Sequence, residues 1–394
     1  MSGPLKWIDD ELASLERHGL LRRRRQVISL PGARCLVEGR ELLNFAANDY
    51  LDLAHDPRVI AAAQRALSEA GVGATASPLI SGRSAWHVAL EESLAGFERQ
   101  PAAMLFPTGF AANMGTICAL AGKNDVIFSD QLNHASLIDG CRLSQARIRI
   151  YRHQDLDGLE DELQRCPAGS PRFGIGRRLI VTDSVFSMDG DLAPLPELCN
   201  LAERFEAILI VDEAHATGVL GANGRGVAEL QGVEHRIAVR VGTLSKGIGA
   251  LGGFVAGSQN LIDWLWNRAR PQVFSTALPP SICAAAAEAI RLIENEPERR
   301  QRLLQSAAEF RRQIVDAGIA TVPHALGPIV PVILHTPERA MQVARQLEDE
   351  GFLVGAIRPP TVPPGTSRLR ITLSSGHDPA DIERLVTALQ RAGL

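Results

Sequence analysis

The sequence predicts an α/β protein that has a large domain with a mainly parallel sheet and a smaller C-terminal α+β domain. The chain has 394 residues, and because a single hydrophobic core stops growing at roughly 250 to 300 residues, we expect more than one domain. From 101 to 257, short apolar runs alternate with helical stretches, which is typical of parallel strands joined by crossover helices. We therefore predict an N-terminal segment at 1–45, the large domain at 46–280 and the small domain at 281–394.

The individual elements follow from short apolar runs, which indicate buried strands, and from amphipathic stretches, which indicate helices. Near the N-terminus, helices are predicted at 7–21 and 57–70. In the large domain, strands are predicted at 102–106, 125–129, 148–151, 179–182, 207–211 and 237–241, and helices at 111–121 and 156–164. In the C-terminal part, helices are predicted at 281–294, 297–317, 337–349 and 379–391, and strands at 329–334 and 369–373.

The composition excludes several classes of function. The net charge of -4 and the pI near 6.2 argue against a protein that binds nucleic acid or a membrane surface, and the one basic run is Arg22–Arg25. No apolar stretch reaches the roughly 20 residues that span a bilayer, and the first residues lack the apolar centre of a signal peptide, so we expect a cytoplasmic protein. The cysteines are scattered without a Cys-x-x-Cys pair, so we expect neither a disulfide framework nor a metal site.

Lysine is scarce in this chain and occurs only at Lys6, Lys123 and Lys246. Arginine replaces lysine as a surface charge, but it cannot give up its proton and form an imine. Chemistry that requires a free amine must therefore use one of these three residues. Lys246 directly follows the predicted strand at 237–241, whereas the other two lie in an exposed segment and a turn, so Lys246 is the candidate.

Asp212 follows another predicted strand, in the sequence Asp212-Glu213-Ala214-His215. One interpretation is a nucleotide hydrolase in which the two acids hold magnesium, but the chain has no phosphate loop of the form Gly-x-x-x-x-Gly-Lys-[Ser/Thr]. The other interpretation joins Asp212 to Lys246. A carboxylate that faces a pyridinium nitrogen and a lysine that forms a Schiff base are the two groups that pyridoxal phosphate most requires.

The remaining parts of such a cofactor site also follow predicted strands. Thr108 and Gly109 precede a predicted helix, whose first backbone N–H groups suit a phosphate. Thr243 could add a hydroxyl to that phosphate, and His134 could stack on the cofactor ring. Because ligands bind outside the carboxyl ends of parallel strands, these residues are expected to converge.

Several motifs of the chain resemble those of a known family, the α-oxoamine synthases of the fold-type I enzymes that use pyridoxal 5'-phosphate. The motifs are Asn44–Leu51, Pro107–Asn113, Asn133–Ser136, Val185–Asp191, Val211–Gly218, Thr243–Gly247 and Ile357–Pro363. The last of these resembles the branch of the family that acts in biotin biosynthesis. Two departures are the sequence Gly73–Gly82, which bears on the shape of the acyl pocket, and Gly247 in a position where alanine is common.

The resemblance implies roles for individual residues. It makes Lys246, Asp212 and His134 the catalytic group. The implied cofactor ligands are Gly109, Phe110, His134, Ser187, Asp212, His215, Thr243 and Lys246, with Thr276 serving the phosphate of a neighbouring subunit in a homodimer. The implied substrate ligands are Arg22 for the acyl group, Asn48, His134 and Arg358 for the amino-acid carboxylate, and Thr361 at the substrate entrance.

The same resemblance implies a reaction. It is the decarboxylative condensation of L-alanine with pimeloyl-CoA or a pimeloyl-carrier protein. Three alternatives stay open: another α-oxoamine synthase such as a glycine C-acetyltransferase, an aminotransferase of the same fold, and a cofactor-binding regulatory domain. The last would predict an added DNA-binding segment, and the short N-terminal extension and the negative net charge argue against one.

Overall fold

The computed structural model describes residues 3–167, 176–322 and 325–394. The chain divides into two compact units. Unit 1 comprises Met1–Ala47, Met188–Gly190 and Leu303–Leu394, and unit 2 comprises Asn48–Ser187 and Asp191–Arg302.

The helices and strands, in chain order and within the described ranges, have the following bounds. The helices are α1 Trp7–Arg17, α2 Pro57–Ala70, α3 Ala85–Phe97, α4 Gly109–Leu120, α5 Ala135–Leu143, α6 Leu156–Arg165, α7 Leu195–Arg204, α8 Val227–Leu230, α9 Gln259–Arg268, α10 Arg270–Val273, α11 Pro280–Asn295, α12 Pro297–Asp316, α13 Pro337–Asp349 and α14 Pro379–Arg391. The strands are β1 Val27–Leu30, β2 Arg34–Val37, β3 Arg40–Phe45, β4 Ala102–Phe106, β5 Val126–Asp130, β6 Arg147–Tyr151, β7 Arg178–Asp183, β8 Ala207–Asp212, β9 Val239–Thr243, β10 Gly253–Gly257, β11 Ile329–His335, β12 Phe352–Ile357 and β13 Ser367–Thr372.

Unit 2 is built on a mainly parallel sheet. The described strands have the order β4-β10-β9-β8-β7-β5-β6. Only β10 runs against its neighbours. The carboxyl ends of all the other strands therefore lie at one edge of the sheet, as the sequence predicts. Strands β5, β7 and β9 are buried along their whole length, as is typical of parallel strands that are covered on both faces.

Local chemistry fixes the start of α4 at this edge of the sheet. The Thr108 side chain accepts a hydrogen bond from the Ala111 N–H and caps the helix. Gly109 is the first helical residue, and a Cβ built there would lie 3.2 Å from Thr243 Oγ1. Glycine therefore allows the start of α4 to approach the end of β9 closely.

Unit 1 joins the two ends of the chain in one sheet. Its described strands have the order β1-β2-β3-β12-β13-β11, with β3 and β12 parallel. Asp378 precedes α14, and the ring of His377 stacks on Phe45 with centroids 3.9 Å apart. Strands β1, β2 and β3, which lie in the predicted N-terminal segment, thus share one sheet with the C-terminal strands.

The structure differs from the predicted elements at several places. Strands β1, β2, β3, β10 and β12 are not among the predicted elements, and β9 is shifted towards Thr243. The helix α11, which the predicted boundary assigns to the small domain, belongs to unit 2 because it packs on α2 and α3. No described helix is long and apolar enough to cross a membrane.

Candidate active site

Lys246 and His215 meet at the carboxyl edge of the unit 2 sheet. Lys246 Nζ lies 2.7 Å from His215 Nε2, and His215 Nδ1 lies 2.6 Å from the Tyr50 hydroxyl. The Tyr50 hydroxyl donates to Asn48 Oδ1 at 3.3 Å. When the lysine ammonium donates to Nε2, the ring proton is on Nδ1 and is donated to Tyr50. The four side chains then form one directed chain of hydrogen bonds that begins at the lysine.

Asp212 ends β8 and is only 4% exposed. Its Oδ1 accepts a hydrogen bond from the Ala214 N–H at 2.8 Å, and its Oδ2 accepts one from Asn113 Nδ2 at 2.6 Å. Both donors stabilise a negative charge on the carboxylate. Asn113 was not predicted as a site residue, although it is a buried polar residue on the mainly apolar helix α4.

His134 caps the start of α5 and is connected to the same network. Its Nδ1 accepts a hydrogen bond from the Ser136 N–H at 3.2 Å and lies 2.7 Å from Ser136 Oγ, which itself accepts from Asn113 Nδ2 at 2.9 Å. Burial lowers the pKa of His134; Asp212 raises it and Lys246 lowers it. The ring is therefore neutral near neutral pH, and because Nδ1 is an acceptor, its proton is on Nε2.

A second buried carboxylate, Asp183, ends β7 beside Asp212, its direct partner in the sheet register. Asp183 Oδ2 accepts a hydrogen bond from the His134 N–H at 2.6 Å. Burial raises the pKa of Asp183 well above its ordinary value, and the charge of Asp212 raises it further. This residue fixes the main chain of His134 and was not among the predicted site residues.

The other predicted cofactor residues of unit 2 are near the sheet edge or on neighbouring loops. Thr243 ends β9, donates to the Gly252 carbonyl at 2.8 Å and accepts from the Ser245 N–H at 3.2 Å. Phe110, in the first turn of α4, is 42% exposed. Ser187 is half-buried, and Thr276 is an exposed loop residue between α10 and α11.

Three predicted substrate residues lie together in unit 1. Arg22 Nη2 donates to Thr361 Oγ1 at 3.4 Å, and Arg358 Nη2 donates to the Leu21 carbonyl at 3.1 Å. Arg22 and Arg358 line one groove of about 880 Å³. Burial lowers the pKa of Arg358, and the charge of Arg22 lowers it further. Glutamates, among them Glu338 and Glu348, also line this groove, so its lining carries charges of both signs.

The chain matches the family described as aminotransferase class I and II over residues 40–389. The chain belongs to this family. It is 48% identical to the 8-amino-7-oxononanoate synthase of Anaeromyxobacter dehalogenans, over 98% of this chain and 95% of that protein. The identity is also 48% to the 8-amino-7-oxononanoate synthase of Geobacter sulfurreducens, over 98% of this chain and 97% of the relative.

Solved structures of related enzymes also match this chain over most of its length. A serine palmitoyltransferase variant from S. paucimobilis with a bound PLP–myriocin aldimine has a TM-score of 0.92 and 33% identity, and the match covers 99% of this chain and 97% of that one. The 8-amino-7-oxononanoate synthase of Francisella tularensis has a TM-score of 0.75 and 30% identity, with 89% and 97% covered. The predictions of a fold-type I architecture, of pyridoxal phosphate as cofactor and of an acyltransferase of the α-oxoamine synthase family are confirmed.

The residues at the sheet edge fit this cofactor. They provide a lysine amine, a carboxylate held by two donors, and the closely approached start of α4 beside the Thr243 hydroxyl. The structure thus places Lys246 and His215 in one hydrogen-bonded network, and Asp212 and His134 in a second one. Sequence reasoning assigned no role to Tyr50, Asn113, Ser136 or Asp183, although the first three lie within the motifs that carry the resemblance. Tyr50 carried a usable signal, because it is one of only two tyrosines in the chain.

Proposed function

We propose that this enzyme condenses L-alanine with a pimeloyl thioester, either pimeloyl-CoA or a pimeloyl-carrier protein. The products are 8-amino-7-oxononanoate, carbon dioxide and the free thiol, and the reaction belongs to biotin biosynthesis. The observation that carries this proposal is the 48% identity to synthases of this name over 98% of the chain. The pairing of Lys246 with His215, and the two donors that hold the Asp212 carboxylate, support the chemistry.

We assign the cofactor to the edge of the unit 2 sheet. Asp212 would face the ring nitrogen, His134 the ring face, and His215 and Ser187 the phenolic oxygen. The phosphate would be held by Gly109, Phe110 and Thr243, and in a dimer by the partner's Thr276. When bound, pyridoxal phosphate supplies an aldehyde that takes up an amino acid and a ring that stabilises negative charge at Cα.

Lys246 is the proposed base that removes the Cα proton of the amino acid. A base must lie within hydrogen-bond reach of the proton that it takes, and a primary amine on a flexible stem can do so once it is released from the cofactor. The 2.7 Å contact with His215 Nε2 orients Nζ, and Tyr50 and Asn48 extend that hydrogen-bonded chain.

Asp212 and His134 have complementary roles in the proposal. The two donors to Asp212 stabilise a negative charge on its carboxylate, and that charge would favour a proton on the ring nitrogen opposite. The neutral His134 ring carries its proton on Nε2, where it can donate to the substrate carboxylate while the ring stacks on the cofactor. The amino-acid carboxylate is assigned to Asn48 and Arg358, Thr361 to the substrate entrance, and Arg22 to the acyl substrate.

Serine palmitoyltransferases are the main competing assignment, because several of them match this structure with high TM-scores. A shared fold does not by itself decide the substrate. The sequence identity of 33% to that enzyme, against 48% to the 8-amino-7-oxononanoate synthases, favours the latter.

The test is thiol release by the cofactor-loaded protein with three substrate pairs. These are L-alanine with pimeloyl-CoA, glycine with acetyl-CoA, and L-serine with palmitoyl-CoA. We expect release with the first pair. Release only with the second or third pair would overturn the substrate assignment while leaving the Lys246 chemistry intact. An absence of thiol with every pair, together with transfer of the amino group to a keto acid, would identify an aminotransferase.

We also propose a cytoplasmic homodimer. Large apolar side chains are exposed on unit 2, among them Ile80 at 82% and Phe274 at 71%, and a second copy would cover them. The six cysteines are all free thiols, which suits a reducing compartment. Analytical ultracentrifugation of the cofactor-loaded protein tests the dimer; a monomer at micromolar concentration would refute it. Cell fractionation tests the location.

A further inference from the structure

His153 lies two residues beyond the end of β6 and contacts two carboxylates. Its Nδ1 is 3.1 Å from both carboxylate oxygens of Asp130, and its Nε2 is 2.7 Å from Asp191 Oδ2. A neutral imidazole has one N–H and can donate to only one of these partners. Both contacts are hydrogen bonds when the ring is an imidazolium, so the geometry favours the charged ring.

The two carboxylates belong to segments that lead to different site residues. Asp130 ends β5, and its Oδ1 accepts a hydrogen bond from the Leu132 N–H at 2.8 Å. Its main-chain carbonyl accepts from the Asn133 N–H at 3.2 Å. Asp130 therefore shapes the short loop that ends at His134.

Asp191 fixes the segment that contains Ser187. The Asp191 carbonyl accepts a hydrogen bond from the Phe186 N–H at 3.0 Å, and its carboxylate also accepts from Gln154 Nε2 at 2.8 Å. The ring of Phe186, the residue before Ser187, lies edge-on to His153 with centroids 4.3 Å apart. His153 is thus packed against the same segment to which it is hydrogen-bonded.

We propose that His153 is a positioning residue: a cation between Asp130 and Asp191 that fixes the His134 loop and the Ser187 segment relative to each other. The inference rests on the proposed roles of His134 and Ser187 at the cofactor. Burial alone would lower the pKa of His153, but the hydrogen bonds to the two carboxylates outweigh it and raise the pKa to about 9. This direction agrees with the geometry.

The first test compares His153→Gln with His235→Gln, the same substitution at an exposed histidine. Glutamine has no positive charge, and its two N–H groups are on a single nitrogen, which can replace only one of the two ring nitrogens that contact the carboxylates. For His153→Gln we expect kcat to fall roughly tenfold to a hundredfold, because small displacements of site residues cost that much. We also expect a changed visible absorption spectrum of the bound cofactor and weaker cofactor binding, with an unchanged KM for the thioester. His235→Gln should behave as the wild type.

A lower unfolding temperature with the wild-type spectrum, cofactor affinity and kcat would overturn the proposal, since it would indicate a structural role only. If His153→Gln does not fold, Gln154→Ala replaces it, because this variant removes one hydrogen bond to Asp191 and retains the cation. We expect a smaller change in the same direction, and an unchanged spectrum and kcat would again overturn the proposal.

Ser187→Ala separates this inference from the proposed site. If Ser187→Ala leaves the spectrum and the cofactor affinity unchanged, the site assignment fails and the inference fails with it. If Ser187→Ala alters them while both His153→Gln and Gln154→Ala do not, only the positioning role of His153 is refuted.

Discussion

Asn113→Ala is expected to slow removal of the substrate Cα proton, because Asn113 Nδ2 donates to Asp212 Oδ2 at 2.6 Å. A hydrogen bond to a charged group contributes about 1.5–3 kcal/mol. If most of that energy serves to keep Asp212 charged opposite the ring nitrogen, its loss slows proton removal by about tenfold to a hundredfold. The substitution has two opposing effects on the free energy of unfolding. Loss of the hydrogen bond to Asp212 lowers it, whereas removal of Asn113 Oδ1, which is buried without a described partner, raises it.

The assay is exchange of the L-alanine Cα proton in D2O, followed by NMR on the cofactor-loaded protein without any thioester. Asn267→Ala is the matched control, because Asn267 is an exposed helical asparagine whose amide donates to the main chain. Exchange by Asn113→Ala at the control rate would refute the reasoning. The double variant Asn113→Ala/Asp212→Asn should be no slower than Asp212→Asn alone, because the two residues act as one unit. Additive losses would indicate that Asn113 acts elsewhere.

Three further outcomes are expected. Lys246→Ala should abolish thiol release even where absorbance shows retained cofactor, and near-wild-type turnover would exclude Lys246 as the base. Asp212→Asn should strongly depress Cα proton exchange, because a neutral partner no longer favours a protonated ring nitrogen; unchanged exchange would remove Asp212 from its role. Burial lowers the pKa of His377 to about 4, whereas a histidine in the unfolded chain has a pKa of about 6.5. The unfolded chain therefore takes up a proton first as the pH falls, and the contribution of the neutral ring to protein stability, which is full above about pH 6.5, is lost towards pH 4. The midpoint of urea unfolding should therefore fall between pH 7 and pH 5 by more in the wild type than in His377→Gln, and equal falls would contradict this assignment.

The sheet of unit 2 was largely predictable because its strands are local, continuous apolar runs. Asp212 and His134 were predictable as site residues for the same reason. Each comes at or soon after the end of such a run, where ligands of parallel sheets bind. The strands of unit 1 were harder, since β3 pairs with β12 about 300 residues away in the sequence. No local pattern carries that pairing. Strands β1, β2 and β3 pair with their neighbours in sequence, and β3 pairs in addition with the C-terminal strand β12.

The missed site residues show a different limit. Asn113 and Ser136 are helical residues, and the hydrogen bonds that join them to each other and to Asp212 form only when α4 packs against α5 and the end of β8. Asp183 follows a predicted strand, yet its importance depends on the register that places it beside Asp212. Local sequence indicates which residues carry chemistry, whereas the hydrogen bonds that orient them depend on tertiary packing.

Strand β10 was not predicted from the local sequence, and its packing shapes the candidate site. Gly253 pairs with Phe106 of β4 on one side and with Thr243 of β9 on the other. A Cβ at Gly253 would lie 2.5 Å from the Thr108 carbonyl, so a larger residue would force the end of β4 away. The glycine that weakens the strand signal in the sequence is therefore the residue that allows Gly109 and the start of α4 to reach Thr243. Because the phosphate is assigned to that junction, the geometry of the proposed cofactor site depends on a strand that was not among the predicted elements.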